Sequence, residues 1–138
     1  MKNETESRIN LKRLDLIWVC QNIQQLAWFA NLLVQMQEEW RSLDPKFFRV
    51  QLYLTRTDQT DHVPVTLRQN TTLARPDWNA LIRGVRGQLD DETYVEGVSL
   101  KRVGVYLCGG HTLGKELAKT CRFYTNGQYH FRFKKEHF

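Results

Sequence analysis

The sequence predicts an α/β fold, built on a parallel sheet of the doubly wound kind. Three observations carry this prediction. The chain has 138 residues, enough for one domain with a real core. Short apolar runs alternate with segments whose apolar residues recur at helical spacing. Their order is strand, helix, strand, loop, helix, strand, helix, strand, which favours right-handed crossovers and a sheet covered on both faces.

The first half of the chain reads as strand, helix and strand. "LDLIWVC" (14–20) is an almost continuous apolar run, as expected of a strand buried in a parallel sheet. Asn22 is a good N-cap for the helix that follows. The second strand is predicted over 47–55, and a polar loop over 56–74. The inner face of the helix is predicted to contain Ile23, Leu26, Ala27, Ala30, Leu33 and Val34, with Trp28, Phe29, Met36 and Trp40 as core packing.

The second half repeats the alternation. Pro76 is predicted to open a helix, with a soft end at Gly84 and Gly87, and the charged segment 88–100 reads as a surface loop. "RVGVYLC" (102–108) is the third strand, and Asn126 begins the turn into a final strand over 128–138. Apolar residues at helical spacing define the two helices: Trp78, Leu81, Ile82 and Val85 in one, and Leu113, Leu117, Ala118 and Cys121 in the other.

Composition excludes several classes of function. The formal net charge is +5, but basic residues are scattered among acidic ones, which does not favour binding of nucleic acid. No apolar run approaches the roughly 20 residues needed to cross a bilayer, so this segment is expected to be soluble. The 3 cysteines are an odd number without C-x-x-C spacing, which predicts neither a disulfide framework nor a metal site. A reducing, cytosolic environment is the simplest context.

Chemistry-bearing residues follow the predicted strands. In open α/β sheets, ligands bind beyond the carboxyl ends of the strands. Three segments occupy such positions: Cys20-Gln21-Asn22, Thr55-Arg56-Thr57 and Cys108-Gly109-Gly110. For Cys108 a buried structural cysteine in a tight turn is the simplest interpretation. Nucleophilic catalysis would need a base, for which His111 is the neighbour in sequence, but no third group is identifiable.

Five stretches together resemble one family. They are "LDLIWVCQNIQQLAWFANLL", "VQLYLTRTD", "ARPDW", "VGVYLCGG" and "KKEHF". In this order and spacing they resemble the C-terminal part of NADPH oxidase catalytic subunits, which belong to the ferric-reductase and ferredoxin-reductase-like flavoenzymes. The wording of the first two leans toward the isoform-four-like branch. The resemblance implies that 14–138 form a partial ferric-reductase-type NAD(P)H-binding domain, after a polar leader at 1–13.

The resemblance also implies a reaction. In this family NADPH donates hydride to FAD, and electrons pass through membrane haems to oxygen, giving superoxide or hydrogen peroxide. Cofactors of this kind do the redox chemistry while the protein binds and orients them. We therefore expect this segment to bind NADPH or NADH, with FAD and haem held only by the parent protein. Expected partners are the flavin domain, the transmembrane haem domain and a regulatory subunit, at the cytosolic face of a membrane.

The roles of family residues carry over to the C-terminal stretches first. Cys108 and Gly109 match a pair beside the nicotinamide, where the thiol helps to position the transferring carbon. Gly110 stands where relatives commonly have proline. Phe138 matches a terminal aromatic that covers the flavin ring, and Glu136 matches the acid of the same ending, in which His137 replaces an asparagine.

Two further positions concern the phosphate-bearing half of the cofactor. Arg75 matches an arginine near the adenosine phosphate, and Arg56 is a second candidate. Gln21 stands where relatives commonly have an arginine that binds the ribose 2′-phosphate. A hydrogen bond to a charged group contributes roughly 1.5–3 kcal/mol. We therefore expect a reduced preference for NADPH over NADH.

The resemblance begins at what should be the second strand of the domain. In the expected strand order 3-2-1-4-5, the central first strand is lacking, and with it a G-x-G-x-x-P turn. Because unpaired interior strands are costly, we expect the isolated chain to be inactive, and to be poorly folded, collapsed into a closer strand pairing, or dependent on a partner that supplies the missing strand. Two hypotheses follow: an incomplete piece of a membrane oxidoreductase, or a truncated, non-catalytic product that binds the oxidase or its cytosolic regulators. The reading frame upstream of Met1 distinguishes them, because only the first hypothesis expects the missing motifs there.

Overall fold

The computed structural model describes residues 11–56, 63, 65–92 and 100–136, and it confirms the α/β class. The chain divides into two compact units, an N-terminal unit (1–76) and a C-terminal unit (77–138). The elements in chain order are β1 (Leu14–Cys20), α1 (Ile23–Leu43), β2 (Phe48–Leu54), a 3₁₀ helix (Val65–Asn70), β3 (Thr71–Thr72), α2 (Trp78–Glu92), β4 (Lys101–Leu107), α3 (His111–Tyr124) and β5 (Tyr129–Lys135).

The sheet of the N-terminal unit has the order β1-β2-β3, and all its pairs are parallel. Leu14 lies opposite Phe48, and the register continues without a bulge to Cys20 opposite Leu54. The predicted N-cap is confirmed, because the Asn22 side chain accepts a hydrogen bond from the Gln25 N–H at 3.2 Å. The predicted strand–helix–strand unit is therefore present, and the boundaries of its two strands are correct to within one residue.

The core of this unit lies on one face of β2. Phe48, Val50, Leu52 and Leu54 are buried in alternation with half-buried residues, and the Leu52 side chain is 0% exposed. The predicted core residues of α1 whose side chains the structure describes, Phe29, Leu33, Val34, Met36 and Trp40, all pack in this cluster. The other predicted side chains of this helix, those of Ile23, Leu26, Ala27, Trp28 and Ala30, lie outside the described part.

The sheet of the C-terminal unit contains β4 and β5, paired in parallel from Lys101 opposite Tyr129 to Leu107 opposite Lys135. Its core combines Ile82 of α2, Cys121 and Tyr124 of α3, and Tyr129 and Phe131 of β5. The opposite face is exposed and carries Arg102, Tyr106, His130, Arg132 and Lys134. The sequence predicts cover on both faces; here the strands alternate apolar and polar residues, the pattern of a sheet with one wet face.

A polar cluster joins α2 to this sheet. The Tyr129 hydroxyl donates a hydrogen bond to the Asp90 carboxylate, and Lys101 Nζ lies 2.9 Å from Asp90 Oδ1. The Arg86 guanidinium lies 4.4 Å from the centre of the Tyr129 ring. The hydroxyl of Tyr129, followed by the ammonium of Lys101, lowers the pKa of Asp90. The same hydrogen bond to Asp90 raises the pKa of Tyr129.

The structure corrects two predicted loops. α2 passes through Gly84 and Gly87 and continues to Glu92, so the prediction of a loop over 88–92 is wrong. Leu89 packs against the core and Asp90 joins the polar cluster, and these tertiary contacts extend the helix. The predicted loop 56–74 contains the 3₁₀ helix and β3, where Asn70 Nδ2 donates to the Val50 carbonyl at 2.9 Å. Within these segments, residues 57–62, 64 and 93–99 lie outside the described part of the chain.

Candidate functional site

The carboxyl ends of β1 and β2 are aligned by backbone hydrogen bonds. The Thr55 N–H donates to the Cys20 carbonyl at 3.0 Å, and the Arg56 N–H donates to the Gln21 carbonyl at 3.3 Å. Pairing thus continues two residues beyond the strands and fixes Gln21 beside Arg56. The register confirms the expectation that residues after neighbouring parallel strands meet at one edge.

Both side chains at this edge are available to a ligand. Gln21 and Arg56 are exposed. Among the described residues, no carboxylate lies within ion-pair distance of the Arg56 guanidinium. An exposed guanidinium without an acidic partner is suited to a phosphate, which it binds through paired N–H donors. The residues present here fit the phosphate-bearing part of a dinucleotide.

Arg75 lies in the segment between β3 and α2. Its side chain is exposed, and the described residues offer it neither a hydrogen bond nor an ion pair. Pro76 follows it, and the Asp77 side chain accepts the Ala80 N–H at 3.0 Å and so caps the start of α2. The structure does not bring Arg75 into contact with Gln21 or Arg56.

The C-terminal unit has a second aligned edge. The Glu136 N–H donates to the Leu107 carbonyl at 3.0 Å, which extends the β4–β5 pairing and sets Glu136 beside the start of the Cys108-Gly109-Gly110 turn. Cys108, Gly109, Gly110 and Glu136 are all exposed. Phe138 and His137, the other predicted residues of this ending, lie outside the described residues.

The turn after β4 leads directly into a helix. Gly110 is the N-cap of α3 with φ −71° and ψ 164°, and no acidic residue occupies the first turn. No heavy atom lies within 4 Å of the position that a Cβ of Gly110 would take, so the turn is open on that side. Free N–H groups and the helix dipole favour negative charge at such a start.

The cysteines differ in exposure. Cys108 is exposed, so the prediction of a buried structural cysteine at this position is wrong. Cys20 and Cys121 are buried, and burial raises the pKa of both thiols. Within the described residues Cys108 makes no hydrogen bond to His111 or to an acid. The turn presents an accessible thiol that a planar ligand can contact.

Metal binding and membrane crossing find no support in the described part of the chain. It holds no group of three or more histidine, cysteine, aspartate or glutamate side chains arranged to bind a metal. None of the described helices has the length and apolarity that crossing a membrane requires.

Sequence reasoning missed two sets of polar residues. One is the cluster of Tyr129, Asp90, Lys101 and Arg86, which depends on α2 being longer than predicted. The other surrounds a cavity in the N-terminal unit, between the end of α1 and the start of β2, where Arg41 and Arg49 are among the lining residues. No local motif marks either set, because their members come together only through tertiary packing.

Comparison with known proteins identifies relatives. Residues 1–69 match the family described as ferric reductase NAD binding domain. The chain is 32% identical to NADPH oxidase 4 of Homo sapiens in an alignment of 133 positions that covers 93% of the chain and 22% of that protein. It is 31% identical to NADPH oxidase 4 of Mus musculus in an alignment of 137 positions, and 29% identical to NADPH oxidase 1 of Rattus norvegicus in an alignment of 148 positions.

These relatives support the isoform-four-like branch. The alignments cover almost the whole chain, including the Cys108 turn, whereas the family match covers only its first half. The chain spans about a quarter of the length of the curated relatives it matches, 22% for NADPH oxidase 4 and 25% for NADPH oxidase 1.

Proposed function

Because the chain belongs to the family of ferric reductase NAD-binding domains, with NADPH oxidases among its relatives, we propose that it is the NAD(P)H-binding segment of such an oxidase. The observation that carries the proposal is the strand–turn–helix passage from β4 through Cys108-Gly109-Gly110 into α3. It is open and exposed, and the first turn of α3 carries no acidic residue. When bound, the nicotinamide cofactor supplies hydride; this segment binds and orients it.

Each aligned edge has its own proposed role. At the end of β4, Cys108 and Gly109 contact the nicotinamide, and the thiol sets its position by packing rather than by bonding. Glu136 stands beside them through its backbone bond to Leu107. At the carboxyl ends of β1 and β2, Gln21 and Arg56 bind the ribose phosphate. Arg75 binds the adenosine phosphate. The free guanidinium groups support this assignment, because phosphate needs charged donors.

The proposal extends to the parent protein. FAD and haem lie in its other parts, and electrons from the flavin reach oxygen there to give superoxide or hydrogen peroxide. Phe138 covers the flavin ring in that context. The flavin domain, the transmembrane haem domain and a regulatory subunit are the partners, and the segment works at the cytosolic face of a membrane. The relatives' greater length supports this context, since the matched segment is about a quarter of each.

The proposal also concerns the sheets. Among the described residues, β1 pairs only with β2, and β4 pairs only with β5, so each strand has one free edge. The resemblance predicts a central strand, and we propose that the parent sequence supplies it. Backbone groups on a buried free edge each cost about 1–3 kcal/mol when unpaired. The chain alone is therefore of low stability and without turnover.

The test is the affinity of the chain for NADPH and for NADH, measured by the fluorescence of the reduced nicotinamide. Replacing Arg56 by glutamine removes a charged donor worth roughly 1.5–3 kcal/mol. NADPH affinity should fall about tenfold to a hundredfold, while NADH affinity changes little, since NADH lacks the 2′-phosphate. Arg122→Gln, an exposed charge on α3, is the control. Equal losses for both nucleotides, or turnover of NADPH by the chain with an electron acceptor alone, would contradict the proposal.

A further inference from the structure

A polar cavity of about 280 Å³ lies in the N-terminal unit, between the last turns of α1 and the first half of β2. The polar residues that line it are Gln37, Arg41, Arg49, Gln51 and Asn70. The other lining residues are Pro45, Phe48 and Val50, of which Phe48 and Val50 are buried. At ~30 Å³ per water in the liquid, the cavity has room for roughly nine waters or a small molecule of similar size.

The cavity is held open by hydrogen bonds that tie three elements together. Asn70 Nδ2 donates to the Val50 carbonyl at 2.9 Å and to Gln37 Oε1 at 3.1 Å. β3 pairs with β2 only at Leu52 and Tyr53, so the first half of β2 has no described strand on this side. The Asn70 amide takes the place of a strand there and leaves a recess beside it.

The charge of the lining is one-sided. Two arginine residues line the cavity, and none of its described lining residues carries a carboxylate. Among the described residues, Arg49 has neither an ion-pair partner nor a side-chain hydrogen bond. Arg41 pairs with Glu38 at 2.9 Å, but both side chains are 57% exposed. Exposed ion pairs of this kind are weak, so Arg41 can turn to a bound anion.

The amide groups add donors to the same space. Gln37 and Gln51 each use the oxygen of their amide, which accepts from Asn70 and from the Tyr53 hydroxyl respectively. Their NH₂ groups have no partner among the described residues. The carbonyl groups at the C-terminal end of α1, at Leu43, disfavour a negative charge nearby. The Asp44 N–H, which donates to the Trp40 carbonyl at 2.7 Å, satisfies one of those carbonyls.

We propose that this cavity binds a small oxyanion, a carboxylate or phosphate group of a free small molecule, between Arg41 and Arg49. The site is separate from the carboxyl edge of the same sheet. Val50 and Arg56 are six residues apart along an extended chain, which corresponds to about 20 Å. The inference does not rest on the proposed nucleotide function, because the cavity lies at the opposite end of β2.

The experiment titrates the ¹⁵N-labelled full chain with succinate and, in a separate arm, with inorganic phosphate, at ionic strength fixed by sodium chloride. The side-chain amide of Asn70 and the backbone amides of β2 are the reporters. Binding predicts saturable shifts of these signals in at least one arm, and the arm that responds identifies the anion. Shifts that stay linear in both arms would overturn the proposal.

Three variants complete the test. Arg49→Gln should weaken binding at least tenfold, because it removes the unpaired guanidinium. Arg41→Gln should weaken it severalfold; its side chain is exposed on the helix, so the fold should be retained, and far-UV circular dichroism checks this. Arg122→Gln removes the same charge from the C-terminal unit and should leave affinity unchanged. Equal affinity in wild type, Arg41→Gln and Arg49→Gln would overturn the assignment.

Discussion

The two units achieve the same edge geometry by different means. In each, a backbone hydrogen bond extends a pair of parallel strands, from Thr55 to Cys20 in one and from Glu136 to Leu107 in the other. Behind this edge the N-terminal unit is held by an apolar core around Leu52, whereas the C-terminal unit adds a polar cluster around Asp90. Backbone pairing therefore places the candidate site residues, while the supporting interactions are free to differ.

The largest expected effect is on the apolar core of the N-terminal unit. Leu52→Ala removes a side chain that is 0% exposed and leaves a cavity in the N-terminal core. The free energy of unfolding should fall by about 2–5 kcal/mol, measured by urea denaturation. The matched control is Leu32→Ala on α1, where the leucine is 52% exposed and the change should stay within about 0.5 kcal/mol. Similar losses in both variants would mean that Leu52 is not a core residue.

The second prediction concerns the nucleotide preference at the carboxyl ends of β1 and β2, tested by a change that leaves the backbone pairing of this edge intact. Gln21→Arg places a guanidinium beside Arg56 without disturbing the backbone bond between them. It should raise the preference for NADPH over NADH about tenfold to a hundredfold, which corresponds to roughly 1.5–3 kcal/mol. The ratio of the two dissociation constants is the measurement. Gln24→Arg, an exposed position on α1, is the control for added charge alone. An unchanged ratio in Gln21→Arg would remove Gln21 from the phosphate site.

The third prediction concerns the polar cluster of the C-terminal unit, and it is a dependence of stability on pH. In the folded state, the hydrogen bond from Tyr129 and, next in size, the hydrogen bond from Lys101 hold the pKa of Asp90 below its ordinary value of 3.8. The stabilisation is therefore present above that value and is lost as the pH falls through the lower folded pKa. Thermal unfolding of Asp90→Asn should show lower stability near neutrality and a shallower acid limb than wild type.

Tyr129→Phe tests the partner of the same hydrogen bond. The folded pKa of Tyr129 is raised above its ordinary value of 10.0, mainly by Asp90. Its contribution is fully present below that pH and is lost as the pH rises through the higher folded pKa. The phenylalanine variant should lose this alkaline dependence. An Asp90→Asn protein with the acid limb of wild type would show that the cluster does not support the C-terminal unit.

The smallest predicted effect is a gain. The φ of −71° at Gly110 lies within the range of proline, and the space around its Cβ position is empty. Gly110→Pro should stabilise the chain by about 0.4–1 kcal/mol, through reduced freedom of the unfolded state. Gly87→Pro, in the middle of α2, should instead cost about 3 kcal/mol or more. Calorimetry of both variants is the measurement, and a loss of stability in Gly110→Pro would contradict the turn geometry.

The sequence predicts strands and their ends better than it predicts side-chain neighbourhoods. The apolar runs ending at Cys20 and Cys108 locate β1 and β4, because a short apolar run is a local signal of a strand. Asn22 likewise marks the start of α1. These local patterns alone suffice to place Gln21 and Cys108 at strand ends.

What the sequence could not predict depends on contacts between distant segments. The two glycines of α2 suggest an early end, but the contacts of Leu89 and Asp90 with the sheet outweigh their low helix propensity. The exposed face of β4 and β5 is not predictable in this way, because the alternation of apolar and polar residues in each strand is too short to distinguish a half-exposed strand from a buried one. Arg41 and Arg49 line one cavity through the packing of α1 on β2, to which Asn70 adds hydrogen bonds from the 3₁₀ helix.

The decisive measurement for the nucleotide site is a map of backbone amide shifts when the ¹⁵N-labelled chain is titrated with NADPH. We predict saturable shifts at the carboxyl ends of the strands, at Gln21 and Arg56 and from Cys108 to Gly110. The amide signals of Arg49 and Val50, at the start of β2, should stay in place. Shifts confined to the start of β2, or no saturable shift at either edge, would contradict the assignment of these strand ends to the nucleotide.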